Sequence, residues 1–232
     1  MGLCKGAGRG APGRKRRPGG GRKPKGPRSH EKHQTRPWHE ARHPVHVVVR
    51  VVDGIRLRRR AGWRAVRHAM GVALKRHDFR ICHASIQATH LHLIVEAEDR
   101  TALARGMQGF GIACARRFNA SIRRRGQLFW DRYHPVVLRT PAQVRNAVSY
   151  CLNNWRRHRE DRHAPHVRLD PYSSAPQFAE WTPLPRSERD AERERLPIVV
   201  PETWLLGLGW RRHGPISPLE RPGPIELSAR AA

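Results

Sequence analysis

Acidic residues are scarce in this chain. Across 232 residues, 19 Asp and Glu stand against 46 Lys and Arg, a formal charge of +27, with a pI near 11.7. An ordinary metabolic enzyme is not built with that balance, so the first expectation is a polyanionic partner. Cysteines number four, Cys4, Cys82, Cys114 and Cys151, and no two of them form a C-x-x-C pair. That spacing argues against a zinc ribbon, and a disulfide framework is not indicated for a chain of this size. Cys82, Cys114 and Cys151 lie among apolar neighbours and read as small core residues. Long apolar runs are missing too. None approaches the roughly 20 residues of a spanning helix, and the N-terminus lacks the apolar stretch of a signal peptide. Between the two polyanions, nucleic acid in the cytoplasm is therefore favoured over a membrane. Tyrosines are few as well: Tyr133, Tyr150 and Tyr172.

What is present divides the chain into three. Residues 1–42 are basic and rich in Gly and Pro, with no acidic residue before Glu31. Such a segment should be disordered in isolation and grip phosphates without sequence preference. Residues 43–160 carry periodic apolar patterns. Residues 161–232 turn Pro- and charge-rich, with one short apolar piece, PETWLLGLGWRRHG, where a short helix is expected from about Pro201.

Within the middle segment, Val45, Val47, Val49 and Val51 alternate with mostly polar residues before Asp53-Gly54, which predicts a strand. Trp63, Val66, Met70 and Leu74 recur at helical spacing from about 60 to 76. FRICHASIQA and HLHLIVEAE read as two further strands joined near Ala88 and Thr89. A second helix is predicted over 101–125 with Leu103, Met107, Phe110, Cys114 and Phe118 on one stripe, and GQLFWDRYHPVVLR reads as a fourth strand. The succession strand, helix, strand, strand, helix, strand is the ferredoxin-like plan, an α+β antiparallel sheet with packed helices. A last helix over 141–158 has the strongest local signals. Thr140 is placed to cap it, Pro141 suits its first position and Gln143 completes a capping box.

Two sets of residues stand apart from packing. His90 and His92 flank Leu91 on the third strand, and a period of two puts both imidazoles on one face, where they could share a metal ion. With 15 histidines in the chain, one His-x-His is also what composition alone would give. On the last helix Tyr150 and Asn154 are four apart, stacked on a flank well away from the apolar stripe of Val144, Val148, Cys151, Leu152 and Trp155. Together they offer a nucleophile and a third metal ligand. Tyr133, with no amide four residues on, reads as structural or DNA-contacting, and Tyr172 as an anchor of the tail. Arg116, Arg117, Arg123, Arg124, Arg156 and Arg157 are individually solvated charges and collectively a phosphate-binding surface. Trp130, Trp155 and Trp210 either pack or stack on unpaired bases.

The motifs THLHLIVE, GMQGF, LFWDRYH and VRNAVSYCLNN, in that order, resemble the single-tyrosine HUH transposases, and among them the REP-associated tyrosine transposases, over about residues 43–160. The resemblance implies an HUH endonuclease type of fold, with a divalent cation, Mg2+ or Mn2+, bound by His90 and His92. It implies Tyr150 as the attacking nucleophile and Asn154 as the polar ligand four residues later. It further implies single-stranded or hairpin DNA as substrate, a 5′-phosphotyrosine intermediate and a cytoplasmic, nucleoid-associated enzyme, with a homodimer left open. Members of that family often place Pro after the Asn, whereas this chain has Trp155. The competing reading is a non-catalytic, domesticated nucleic-acid-binding protein that recognises palindromic repeats. An RNA-recognition sheet is disfavoured, because ICHASIQA and HLHLIVE lack the aromatics such a surface uses.

Overall fold

The computed structural model describes residues 38–163, 169–182 and 194–223. Cys4 and nearly all of the basic N-terminal segment lie outside these residues. Strands β1 (Val45–Arg50), β2 (Phe79–Ile86), β3 (His90–Ala97) and β4 (His134–Val137) form one sheet of order β2-β3-β1-β4. Every pairing is antiparallel. Helices α1 (Arg60–Ala73) and α2 (Arg100–Ser121) complete the ferredoxin-like succession, and α3 (Pro141–Arg157) follows it. The fold is α+β, as the sequence pattern predicts.

The alternation in β1 and β3 explains the layering. Val45, Val47 and Val49 of β1 and Leu91, Leu93 and Val95 of β3 share a core with α1 and α2. The opposite parity of β3 presents Ile94 to a second core built with Val144, Val148, Cys151 and Leu152 of α3. The sheet thus has helices on both faces, and residues of even number on β1 and β3 look towards α3. Helix α3 starts where its sequence says it should. The Thr140 hydroxyl accepts from the Gln143 N–H at 3.2 Å, and the Gln143 carboxamide oxygen accepts from the Thr140 N–H at 3.2 Å. A cap of this kind contributes about 1 kcal/mol. Cys82, Cys114 and Cys151 are buried free thiols.

Three elements differ from the sequence expectation. Helix α1 ends at Ala73, so Leu74 is its C-cap and is 47% exposed, while Gly62, Ala65 and Ala69 supply the buried face that the larger residues alone suggest less well. Helix α2 stops at Ser121, and Arg123 adopts φ +53 just beyond it. The fourth strand shrinks from fourteen residues to four. The segment before it still follows β1, with the Trp130 N–H donating to the Arg50 carbonyl at 2.8 Å, but the backbone bends at Trp130-Asp131 before β4 begins.

The larger departure is the C-terminal segment, whose described parts are folded onto the domain. Leu169, Phe178, Trp181, Leu205, Leu206 and Trp210 are buried in the α3-side core. Phe178 packs against Trp181 at a ring-centroid distance of 5.1 Å and against Trp210 at 5.8 Å. The segment also runs along β2. The Ser174 N–H donates to the Ala84 carbonyl and the Ile86 N–H to the Tyr172 carbonyl, both at 2.8 Å, and the Val199 N–H to the Ile81 carbonyl at 3.1 Å. The short helix expected near Pro201 is α4 (Trp204–Gly207), capped by Thr203. The buried Glu96 carboxylate on β3 holds its start, accepting from the Thr203 N–H at 2.9 Å and the Thr203 hydroxyl at 2.8 Å.

Arg58 locks this arrangement. Its guanidinium donates to both oxygens of the fully buried Asp170, at 3.0 and 2.7 Å, and lies 4.7 Å from the centre of the Tyr172 ring. Removing one partner of such a pair strands the other charge without solvent, at a cost of about 3–5 kcal/mol. Arg58→Ala is therefore expected to lower the urea midpoint by the equivalent of that figure. An unchanged midpoint would show that the 169–182 segment contributes nothing to stability through this contact.

Candidate active site

Strand parity brings together more than the His-x-His pair. His90 and His92 both point from β3 towards α3, and His46 joins them from the neighbouring strand. Antiparallel pairing opposes His46 to Ile94 and Val48 to His92, so His46 lies diagonally beside His92 on the same face. The two imidazoles stack, with centroids 5.2 Å apart and planes within 11°, and His46 Nε2 lies 3.1 Å from His92 Nδ1. The His90 ring stands edge-on to His92 at 4.7 Å.

Helix α3 presents Tyr150, Asn154 and His158 at successive turns of one flank. The Tyr150 ring meets His92 edge-on at 5.1 Å and His46 at 6.0 Å. Two turns later His158, the C-cap, meets His90 at 5.2 Å. The helix thus runs antiparallel to β3, and Asn154 falls on the turn between the two contacts. Asn154 is fully buried, yet neither atom of its carboxamide has a hydrogen-bond partner among the described residues, and the same holds for His92 Nε2. An orphaned buried polar group costs about 1–3 kcal/mol. Folded domains rarely keep several in one place unless something else satisfies them.

The electrostatics suit ligands rather than cations. Burial lowers the pKa of His46 and of His90 to about 4, and holds His92 well below its usual value, with the neighbouring imidazoles adding to the effect in His92. All three imidazoles are neutral near pH 7 and carry lone pairs. Burial raises the Tyr150 phenol above its ordinary pKa, opposed by Arg157, whose guanidinium carbon lies 5.8 Å from the ring centre. The phenol is therefore protonated at neutral pH. Among the described residues no group of three or more His, Cys, Asp or Glu side chains is arranged to hold a metal ion. A divalent cation at this place would draw on two imidazoles and the Asn154 amide oxygen. The unpartnered carboxamide and the neutral imidazoles fit that donor set.

The arginines do not form one surface. Arg116 and Arg117 on α2, with Arg123 and Arg124 just beyond its end, belong to the helix layer across the sheet from Tyr150. Arg116, Arg117 and Arg123 are exposed, whereas Arg124 closes the end of α2 by donating to Asn119 Oδ1 at 2.9 Å and the Gln127 carbonyl at 2.8 Å. Arg156 lies over Trp155 and donates to the Pro218 carbonyl at 2.8 Å and to Asp161 at 3.2 Å. Arg157 is exposed beside Tyr150. Trp155 and Trp210 are buried packing residues, and Trp130 is half-buried. Tyr133 sits in the core beneath α1 and α2. Tyr172 packs edge-on against Trp63 at 6.0 Å.

Sequence reasoning missed His46 and His158. Both had a signal. His46 occupies a polar parity position of the alternating first strand, and His158 extends the Tyr150, Asn154 series by one more turn. Neither signal could be used without knowing that β1 lies next to β3 and that α3 crosses this face.

No family model and no curated protein matches the chain. Among solved structures, the chain is similar to the REP-associated tyrosine transposase bound to a REP hairpin. The identity is 14%, the match covers 54% of this chain and 73% of the other, and the TM-score is 0.45. A likeness of that size assigns neither activity nor ligand, which rest on this chain's own residues.

Proposed function

We propose that the protein is a metal-dependent, single-tyrosine strand-transferase acting on single-stranded DNA that carries a hairpin. The observation that carries the reading is the approach of Tyr150 to His92, 5.1 Å between ring centres, beside a buried Asn154 carboxamide without a partner. A structural tyrosine needs no such surroundings. The order of the sequence motifs supports the same reading, and the charge of +27 supports a nucleic-acid substrate.

His90, His92 and the Asn154 amide oxygen are the groups proposed to hold Mg2+ or Mn2+. When bound, the cation supplies Lewis-acid polarisation of a phosphodiester and offsets charge as it develops. The remaining work belongs to the chain. Tyr150 is held against the His92 ring edge and directs its phenol oxygen at phosphorus. The phenol gives up its proton, a new O–P bond forms, and the bond to the 3′ oxygen breaks. The upstream fragment leaves with a 3′-hydroxyl, and the downstream fragment stays joined to Tyr150 through its 5′ phosphate. Because the phosphoester is conserved, the free 3′-hydroxyl of a second strand can reverse the step. Arg157, exposed and over the Tyr150 ring, is placed to meet a phosphate that enters here and to favour the phenolate.

The test is direct. Single-stranded hairpin DNA, labelled at either end, is incubated with the full chain and Mn2+, then run on a denaturing gel. Only the 3′-labelled fragment is expected to migrate with protein. Protein-linked label at the 5′ end would exclude a 5′-phosphotyrosine, and no adduct on hairpins from the DNA flanking the gene would favour a binding-only protein.

A further inference from the structure

The hydrogen bond between His46 and His92 leaves the outer nitrogen of each ring, His46 Nδ1 as well as His92 Nε2, buried without a partner among the described residues. His92 Nδ1 faces His46 Nε2 at 3.1 Å. One hydrogen must lie between the two facing nitrogens, and the two ways of placing it differ in consequence. If His46 donates, the neutral His92 carries its own proton on Nε2, a buried donor with nothing to donate to and no lone pair to offer. If His92 donates from Nδ1, the buried N–H without a partner is His46 Nδ1 instead, and His92 Nε2 is a bare lone pair on the face shared with Tyr150 and Asn154. The two placements thus differ in which ring offers a lone pair and not in hydrogen-bond satisfaction. The second arrangement is the one a metal ligand requires, and ligand imidazoles commonly gain their orientation from an acceptor on the other nitrogen.

We infer that His46 is a positioning residue for His92: it accepts the Nδ1 proton, fixes the ring by stacking at 5.2 Å and 11°, and commits Nε2 to bind a divalent cation. This rests on the metal site proposed above and adds a residue to it that touches neither metal nor substrate. The acceptor is a neutral imidazole supplied by an adjacent strand, where a carboxylate or backbone carbonyl is the common choice. The rigid pairing of β1 with β3 makes that possible, because the register that aligns Val48 with His92 also fixes His46. His46 is fully buried, so no water competes for its Nε2.

Two measurements on the full, DNA-free chain decide the point. The first is Mn2+ affinity, read from the free-ion electron paramagnetic resonance signal in wild type, His46→Leu and His46→Gln. Leucine keeps the bulk and removes the acceptor, and glutamine reaches out an amide oxygen to about where Nε2 lies. Losing such a partner typically costs about 10–100-fold in metal affinity, so H46L is expected to bind at least tenfold more weakly while H46Q stays within a few-fold of wild type. Equal affinity in H46L, or H46Q as weak as H46L, overturns the assignment. The second needs no variant, and so survives if H46L does not fold. Nitrogen-15 correlation spectra of the imidazoles in metal-free wild type are expected to show His92 protonated on Nδ1, and protonation on Nε2 overturns it. Wild type without Mn2+ affinity would instead bring down the metal site itself, and the role of His46 with it.

Discussion

Tyr150→Phe is expected to abolish the covalent protein–DNA adduct while leaving the fold and hairpin affinity within error of wild type. The substitution removes one oxygen and almost no volume from a half-buried side chain. The ring contacts at 5.1 Å to His92 and 6.0 Å to His46 survive, because phenylalanine offers the same ring to both. What disappears is the nucleophile. Adduct formation should fall below detection, a loss of at least about 10³-fold if a phenol is the attacking group. Tyr133→Phe is the internal control. That ring is buried in the opposite core, across the sheet from the histidines, and the variant should form adduct at the wild-type level once folded. Adduct retained by Tyr150→Phe and lost from Tyr133→Phe would reassign the nucleophile.

The second large effect is expected from His90→Ala with His92→Ala. The double variant removes both imidazoles of the proposed cation site, and Mn2+-stimulated cleavage should disappear. Binding of hairpin DNA, measured by mobility shift at fixed salt, should change by less than about threefold, since phosphate contacts rather than the cation set affinity. The two positions differ in risk. His90 is half-buried at the end of β3 and should be tolerated as alanine. His92 is buried and stacked on His46, so truncation leaves a cavity costing roughly 2–4 kcal/mol. His92→Asn with His90→Ala is therefore the companion variant. If both doubles fold and still cleave at the wild-type rate, the histidines are packing residues. If both lose binding and cleavage together, they belong to the DNA-contacting surface.

How much of this was legible beforehand follows from which forces are local. The start of α3 was, because Thr140, Pro141 and Gln143 specify a helix start by contacts within four residues. So was the shared face of His90 and His92, a consequence of strand period alone. The extent of the fourth strand was not. A bend at Trp130-Asp131 interrupts it, and nothing in an alternating pattern marks where an edge strand stops pairing. His46 needed the strand order, which is set by packing over more than forty residues of separation. The C-terminal core residues were hidden for a different reason. Leu169, Phe178 and Trp181 lie on irregular backbone, and Trp210 on a short 3-10 helix (Gly209–His213), so they have no sustained period by which to recognise a buried face. The arginines expected to share one phosphate-binding surface were read as one group because charge is additive in composition, but the sheet divides them.

The hydrogen bonds that Tyr172, Ser174 and Val199 make to β2 bear on how this sheet meets other proteins. An open strand edge is a template that recruits further strands, whether from a partner peptide or from another copy in an aggregate. On the β2 side the chain occupies that template itself, with a Ser85–Ser173 bridge near the end of the strand. On the other side β4 offers four residues, one of them Pro135, which has no N–H to donate. Sheet extension is thus blocked at one margin by the protein's own later residues and discouraged at the other by brevity and proline. Among the described residues, the surfaces left open to a companion molecule are therefore those of helices and loops, and not a long strand edge.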